Sequence, residues 1–248
     1  MKIKAFESNW HNIDFKELNI NLTIFKLADL KFYDKFYEEF FTRYNDFDDL
    51  SINWRTNKIE IAKAIEKKLL KNSRVLSYGC GIGFIEKFIV EKRQDLKLDC
   101  FDFSDIASKW LKRDSSNIYF TSNHEKLKKY DFIFMVDLLY AMGDVEATNL
   151  LKKVKYLLKN DGKIIICNTS SQENENNENI KYSSIKNFIK RIKNLIRPVY
   201  YFLLKKKKVQ FWGYERDKES YNKIFKKAGL MNDKSYSEAN QLVQIFKN

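Results

Sequence analysis

The sequence predicts an α/β fold, a doubly wound and mostly parallel seven-stranded sheet of Rossmann-like type with helices on both faces. Three observations predict it. Between residues 73 and 170, short apolar runs alternate with stretches of helical periodicity. One run, Phe132–Val136, is apolar throughout, as a strand buried on both faces must be. Another, Arg74–Tyr78, leads straight into Gly79-Cys80-Gly81-Ile82-Gly83, a turn from strand to helix.

Residues 1–27 are mixed and carry no clear period. Residues 28–70 read as helical and very aromatic, with Phe32, Tyr33, Phe36, Tyr37, Phe40, Phe41 and Tyr44 three and four apart. Such a face packs on the main domain, or some of it lines a ligand pocket. Ile61, Ala62, Ile65 and Leu69 mark a second helix, approached through Trp54 and Arg55. After the strand at Arg74–Tyr78, the stripe Phe84, Ile85, Phe88, Ile89 predicts a helix. Leu96–Phe101, Asn117–Thr121 and Asp131–Val136 read as the second, third and fourth strands. Leu150, Leu151, Val154, Leu157 and Leu158 form a helical stripe. Asn160-Asp161-Gly162 reads as a turn and Lys163–Cys167 as a fifth strand.

Residues 171–216 break the pattern. A polar run, SQENENNEN, precedes Ile185, Phe188, Ile189, Ile192, Leu195 and Ile196 at helical spacing, and Pro198 ends that helix. Regular structure resumes with Tyr221, Ile224, Phe225 and Ala228, capped by Gly229. Lys234–Glu238 and Gln241–Phe246 read as closing strands. The expected division is a helical cap over 1–71 and a main domain over 72–248, carrying an insertion at 171–216.

The chain has 248 residues and a net charge of +13. The charge is local: Lys181 to Lys208 holds ten Lys or Arg and no Asp or Glu. The apolar runs Phe132–Val136 and Val199–Leu204 fall far short of the roughly 20 residues of a spanning helix. The first residues lack the apolar segment of a signal peptide. Cys80, Cys100 and Cys167 are widely spaced, which argues against a disulfide framework or a zinc site. A cytoplasmic protein is expected, at the inner face of the membrane if the basic segment meets lipid, with no metal.

Glycines in such a turn permit positive φ and let a ligand touch the backbone, beside the free N–H groups of a helix N-terminus. The spacing G-x-G-x-G differs from the dinucleotide G-x-G-x-x-G, which disfavours a pyrophosphate cradle. The second strand ends at Asp102, 19 residues beyond Gly83. An acid there suits the two hydroxyls of an adenosine ribose.

In VLSYGCGIG (75–83), CFDFS (100–104), YDFIFMVDLLYAM (130–142) and LLKNDGKIII (157–166), the chain resembles the class I S-adenosylmethionine-dependent methyltransferases. The resemblance implies a seven-stranded sheet whose last strand is antiparallel, and S-adenosylmethionine as cofactor. Tyr78, Gly79, Cys80, Gly81 and Gly83 would line its methionine part. Asp102 would hold the ribose, Phe103 would flank the adenine, and Asn123 and His124 would meet the adenine edge. Val136, Asp137 and Tyr140 would face the sulfonium and the acceptor, with Asp137, Tyr140 and His124 as candidate bases. The family usually has an acid where this chain has Ser77.

Arg55 and Lys58, in a cap over the pocket, would hold the cofactor's carboxylate or an acceptor phosphate. Tyr33 and Tyr37 would close over the methyl group. The segment Phe211-Trp212-Gly213-Tyr214-Glu215-Arg216, after the insertion, is similar to methyltransferases of surface-polysaccharide and capsule pathways. Trp212, Tyr214 and Arg216 would then bind a sugar phosphate or lipid-linked sugar, with O-methylation favoured. Residues 181–208 read as a membrane-surface element, as a lid for a phosphorylated or nucleotide-linked small molecule, as a nucleic-acid contact, or as a helix with solvated charges. Asp137-Leu-Leu-Tyr140 is not the Pro-Pro-aromatic loop of amino-methylating DNA enzymes. The single proline, Pro198, leaves no Pro-Cys nucleophile, so a nucleic-acid partner is disfavoured. An RNA methyltransferase of another type, or a cofactor-binding module without turnover, is the alternative.

Overall fold

The computed structural model describes residues 4–18, 20, 28–114, 118–168, 192, 196, 210–214, 216–239 and 241–247. Seven strands form the main sheet: β4 (Arg74–Tyr78), β5 (Lys97–Phe101), β6 (Tyr119–Thr121), β7 (Tyr130–Val136), β8 (Leu158–Asn168), β10 (Met231–Glu238) and β11 (Gln241–Lys247). Their order across the sheet is β10-β11-β8-β7-β4-β5-β6. β8, β7, β4, β5 and β6 run parallel, and β11 is antiparallel to both of its neighbours. This is the expected architecture, with the last strand in sequence inserted and reversed. Among the described residues, no helix is long and apolar enough to cross a membrane.

The helices cover both faces. α2 (Ile52–Glu66) and α3 (Phe84–Lys92) pack on one face through Ile61, Ala62, Ile65, Ile85 and Ile89, against Val75, Leu98, Phe134 and Ile165. α5 (Asp144–Lys155) and α6 (Lys218–Lys227) pack on the other through Leu151, Val154, Ile224 and Phe225, against Leu76, Ile133 and Ile164. The two faces follow from alternation along the central strands, with Val75 on one and Leu76 on the other.

The aromatic helix is α1 (Leu30–Arg43), capped by Asp29, whose side chain accepts from Phe32 N–H (3.0 Å). Phe32, Phe36, Tyr37 and Phe40 point inward and form a third core with Ile13, Phe15, Ile82 and Trp110. Burying each such ring is worth roughly 2–3 kcal/mol, so this layer is a core in its own right. α2 shares most of its core with the sheet, while its Trp54 packs on the core of α1.

Two features depart from the sequence pattern. Asn160–Gly162 lies within β8 rather than in a turn before it. Tyr130 pairs with Leu158 and Phe132 with Lys163, so the surplus residues of β8 bulge out of the ladder. The N-terminus forms three short strands, β1 (Lys4–Glu7), β2 (Asn9–Trp10) and β3 (Ile13–Asp14). β1 pairs antiparallel with β9 (Gln210–Tyr214), so the start of the chain is tied to the far end of the insertion. Apart from Ile192 and Ile196, both exposed, the segment 181–208 and the readings made of it lie outside the described residues.

Candidate active site

The site forms at the C-terminal ends of β4, β5 and β7, where the turn after β4 is left-handed at Gly79, Gly81 and Gly83 (φ +82°, +54° and +82°). Gly79 and Cys80 N–H both donate to Phe101 O (2.7 and 3.1 Å), which fastens the turn to β5. A Cβ on Gly81 would lie 3.3 Å from the Tyr37 hydroxyl, and one on Gly79 2.9 Å from Leu138 Cδ1. Both sides of the turn are therefore approached closely, by the cap and by the residues after β7. Gly83 has another reason to be glycine: a Cβ there would lie 2.0 Å from Leu111 Cγ. Its bare face packs on α4 (Lys109–Asp114).

Asp102 follows β5 and is buried. Its Oδ2 accepts Gly81 N–H (2.9 Å) and its Oδ1 accepts Ser104 N–H (3.0 Å). Burial pushes its carboxyl up to about 6, against the pull of these hydrogen bonds. The cap closes on it: burial, and then the Asp102 charge, raise the Tyr33 and Tyr37 hydroxyls well above the ordinary tyrosine range. Asp34, between them on α1, accepts from Ser104 Oγ (2.6 Å). Phe103 is partly exposed and meets Tyr33 edge to face, 5.1 Å between ring centres. Tyr33 and Tyr37 thus stand over Asp102 and the glycine turn. Tyr78 is buried against Phe101 at 4.5 Å. The Cys80 thiol is buried beside Cys100, and burial raises it strongly.

Asp137 follows β7 in a left-handed conformation (φ +46°), uncommon for a residue with a side chain. Two contacts hold it: its N–H donates to Cys167 O (2.9 Å), and its Oδ2 accepts Lys58 Nζ (2.8 Å). Val136 before it is half-buried against the sheet core. Leu138 after it is the residue that abuts Gly79, so Asp137 and Lys58 stand beside the glycine turn. Arg55, one turn before Lys58, pairs with Asp48 instead.

Other expected residues are placed differently. Arg216 is corrected from a substrate cation to a structural one. Its side chain is 0% exposed, and its N–H groups donate to Asp144 Oδ1 (2.8 and 3.1 Å), Leu139 O (2.8 Å) and Met142 O (2.6 Å). It fixes the loop between β7 and α5. Tyr140 lies in that loop and packs under β9, where a Gly213 Cβ would fall 2.5 Å from the ring. Tyr214 stacks near Arg216, whose guanidinium carbon is 5.0 Å from its ring. Trp212 is the extra residue of a bulge opposite β1, and its side chain lies outside the described residues. His124 packs edge-on against Phe101 (5.9 Å) and Tyr78 (6.0 Å). Its Nε2 is buried without a hydrogen-bond partner among the described residues, and burial, then Lys153, lowers its pKa. The ring as a whole is half-buried, on the β5 side of the site against Phe101 and Tyr78. Asn123 caps the next short turn, its Oδ1 accepting Glu125 N–H (2.9 Å).

Two acids escaped the sequence reading, Asp34 and Glu86. Glu86 lies in the first turn of α3, 3% exposed, and accepts from Ser77 Oγ (2.5 Å). A turn open to backbone contact, an acid behind it and a second buried acid fit a ligand with a ribose at one end and a cation at the other.

A family model described as a methyltransferase domain matches residues 54–235. Among solved structures, the chain is similar to CalO1, a methyltransferase in calicheamicin biosynthesis with SAH bound (12% identity, TM-score 0.57, 88% of this chain and 58% of that one). It is similar to the mitomycin 7-O-methyltransferase MmcR (13%, TM-score 0.57, 78% and 54%). It also resembles human N-acetylserotonin methyltransferase in complex with SAM (16%, TM-score 0.54, 88% and 55%). The chain thus spans little more than half the length of these structures, and at such identities the likeness is one of fold. No curated protein matches its sequence.

Proposed function

This chain belongs to the methyltransferase-domain family, and on that premise we propose that it moves the methyl group of S-adenosylmethionine to an oxygen of a small molecule. When bound, the cofactor supplies a methyl group already activated on a sulfonium. The protein's work is then alignment and proton removal. The glycine turn and Asp102 hold the nucleoside end. The observation that carries the reading is the Lys58–Asp137 pair beside that turn (2.8 Å). A hydroxyl that gains a methyl group must lose its proton, and Asp137 is the carboxylate placed to take it. The side chain is 24% exposed, so the proton passes on to water. Lys58 holds the carboxylate in place across the cleft between α2 and β7.

The sugar or capsule acceptor expected from the sequence leaned on Trp212, Tyr214 and Arg216, and the donors of Arg216 are committed to the loop after β7. The proposal is therefore set at the class of small hydroxyl-bearing acceptors, the class that the names of the mitomycin and N-acetylserotonin enzymes suggest. The test is to incubate the protein with methyl-labelled S-adenosylmethionine and a cell extract, then separate small molecules, lipids and polymer. Asp102→Ala runs beside it. Label among small molecules above the variant, released by ether cleavage, is the expected result. Label only in polymer would replace this reading with the RNA enzyme, and no label in any fraction would leave a cofactor-binding module.

A further inference from the structure

We propose that Glu86, with Ser77 orienting it, is the acceptor for the ammonium group at the amino-acid end of the cofactor. This rests on the functional reading above and adds a residue to it. The two side chains come from different elements, β4 and the first turn of α3, and meet just behind the glycine turn. Ser77 Oγ donates to Glu86 Oε1 (2.5 Å), which fixes the plane of the carboxyl group. The other oxygen, Oε2, is fully buried and has no hydrogen-bond partner among the described residues.

A buried carboxylate with one bare oxygen is expensive unless a cation meets it. Here desolvation first of all pushes the Glu86 carboxyl up to about 7, with Ser77 and the residue's own backbone N–H pulling the other way. The groups facing it are known. Asp102, after β5, raises it further and Lys58, on α2, lowers it. The buried thiols of Cys80 and Cys100 are raised in turn by the Glu86 charge. Lys58, the cation felt by Glu86, has its ammonium on Asp137.

The chemistry selects the ligand. A bare carboxylate oxygen takes an N–H donor carrying positive charge. A sulfonium carries the charge but no N–H, whereas a primary ammonium carries both. Among the described residues, no group of three or more His, Cys, Asp or Glu stands ready for a metal ion.

The test compares two ligands by calorimetry on the full chain. S-adenosylhomocysteine has the amino-acid end, and 5′-methylthioadenosine lacks it. In Glu86→Gln, affinity for S-adenosylhomocysteine is expected to fall at least tenfold, with methylthioadenosine unchanged within twofold. Ser77→Ala should fall in the same selective way, by less. Equal losses for both ligands, or no loss for either, would overturn the proposal. If the wild type binds neither ligand, the methyltransferase reading itself fails and the proposal with it. Should the variants not fold, the wild type still decides. The ratio of the two affinities is expected to rise about tenfold from pH 6 to pH 8 as Glu86 ionises. Asp102 titrates lower and serves both ligands alike, so it leaves the ratio unmoved. A flat ratio would overturn the assignment.

Discussion

Lys58 Nζ lies 2.8 Å from Asp137 Oδ2, joining the helix before the sheet to the residue just past its central strand. Asp137 holds a left-handed φ of +46°, a conformation of the kind that concentrates at functional sites and costs about 1–3 kcal/mol. Asparagine tolerates that conformation as aspartate does and keeps the shape of the side chain. It cannot take a proton. Asp137→Asn is therefore expected to fold with a melting temperature within about 3 °C of wild type. Its turnover should fall by about 100-fold, the usual size of a lost general base. Initial rates beside a thermal scan check both. A variant with full turnover would remove Asp137 from the chemistry.

Asp102 tests the nucleoside end. Both of its oxygens already accept backbone N–H groups, from Gly81 and Ser104, which aim the carboxylate at the glycine turn. Ribose hydroxyls would add charge-assisted hydrogen bonds on the remaining lone pairs, each worth about 1.5–3 kcal/mol. Asp102→Ala is expected to weaken S-adenosylhomocysteine by at least about 30-fold, since 1.4 kcal/mol is tenfold. Methylthioadenosine, which keeps the ribose, should weaken equally. Titration calorimetry on both ligands reads this directly, and a loss confined to one would place Asp102 elsewhere.

Arg216 separates a structural cation from a substrate-binding one. Its guanidinium spans Leu139 O, Met142 O and Asp144 Oδ1 with no exposure of its own. Asp144 is half exposed and can be rehydrated, so most of the cost of removal falls on the two carbonyls and the buried space. Arg216→Met is expected to cost about 3 kcal/mol, a drop of about 6–12 °C in melting temperature. A substrate-binding arginine would leave the melting temperature alone and raise KM. Denaturant unfolding and a thermal scan distinguish the two.

The sheet was legible because parallel strands covered on both faces must be apolar, as Phe132–Val136 and Ile164–Ile166 are. The glycine turn was legible because positive φ restricts residue type. The pairing of β1 with β9 was not legible: it joins residues about 200 apart, and four residues such as Lys4–Glu7 carry no period. Arg216 was misread for a physical reason. A cation after a run of aromatics looks the same in sequence whether its donors face a ligand or three acceptors of its own chain. Glu86 was missed because it falls outside the stripe Phe84, Ile85, Phe88, Ile89 and so reads as solvent-facing. The signal was at Ser77, where a neutral side chain replaces the family's usual acid. The Ser77–Glu86 hydrogen bond brings a carboxylate to that position from α3.

That burial has a consequence for stability that needs no substrate. Glu86 sits at about 7 in the folded protein, mainly through desolvation, against an ordinary value of 4.5. Between these values the folded state keeps a proton that the unfolded state has lost. Stability from this group is therefore highest below about pH 4.5 and declines as pH rises toward 7, after which it is constant. The shift corresponds to a swing on the order of 3 kcal/mol. Asp102, raised to about 6, adds a decline in the same direction over a lower range. Glutamine carries no proton to lose, so Glu86→Gln removes the Glu86 part alone. Without ligand, the melting temperature of Glu86→Gln relative to wild type is expected to rise from pH 5 to pH 8, by about 5 °C. Scans of both proteins at matched ionic strength measure this difference, in which the titrations they share cancel. A difference independent of pH would mean that Glu86 is ionised in the folded protein throughout, with a compensating cation already beside it.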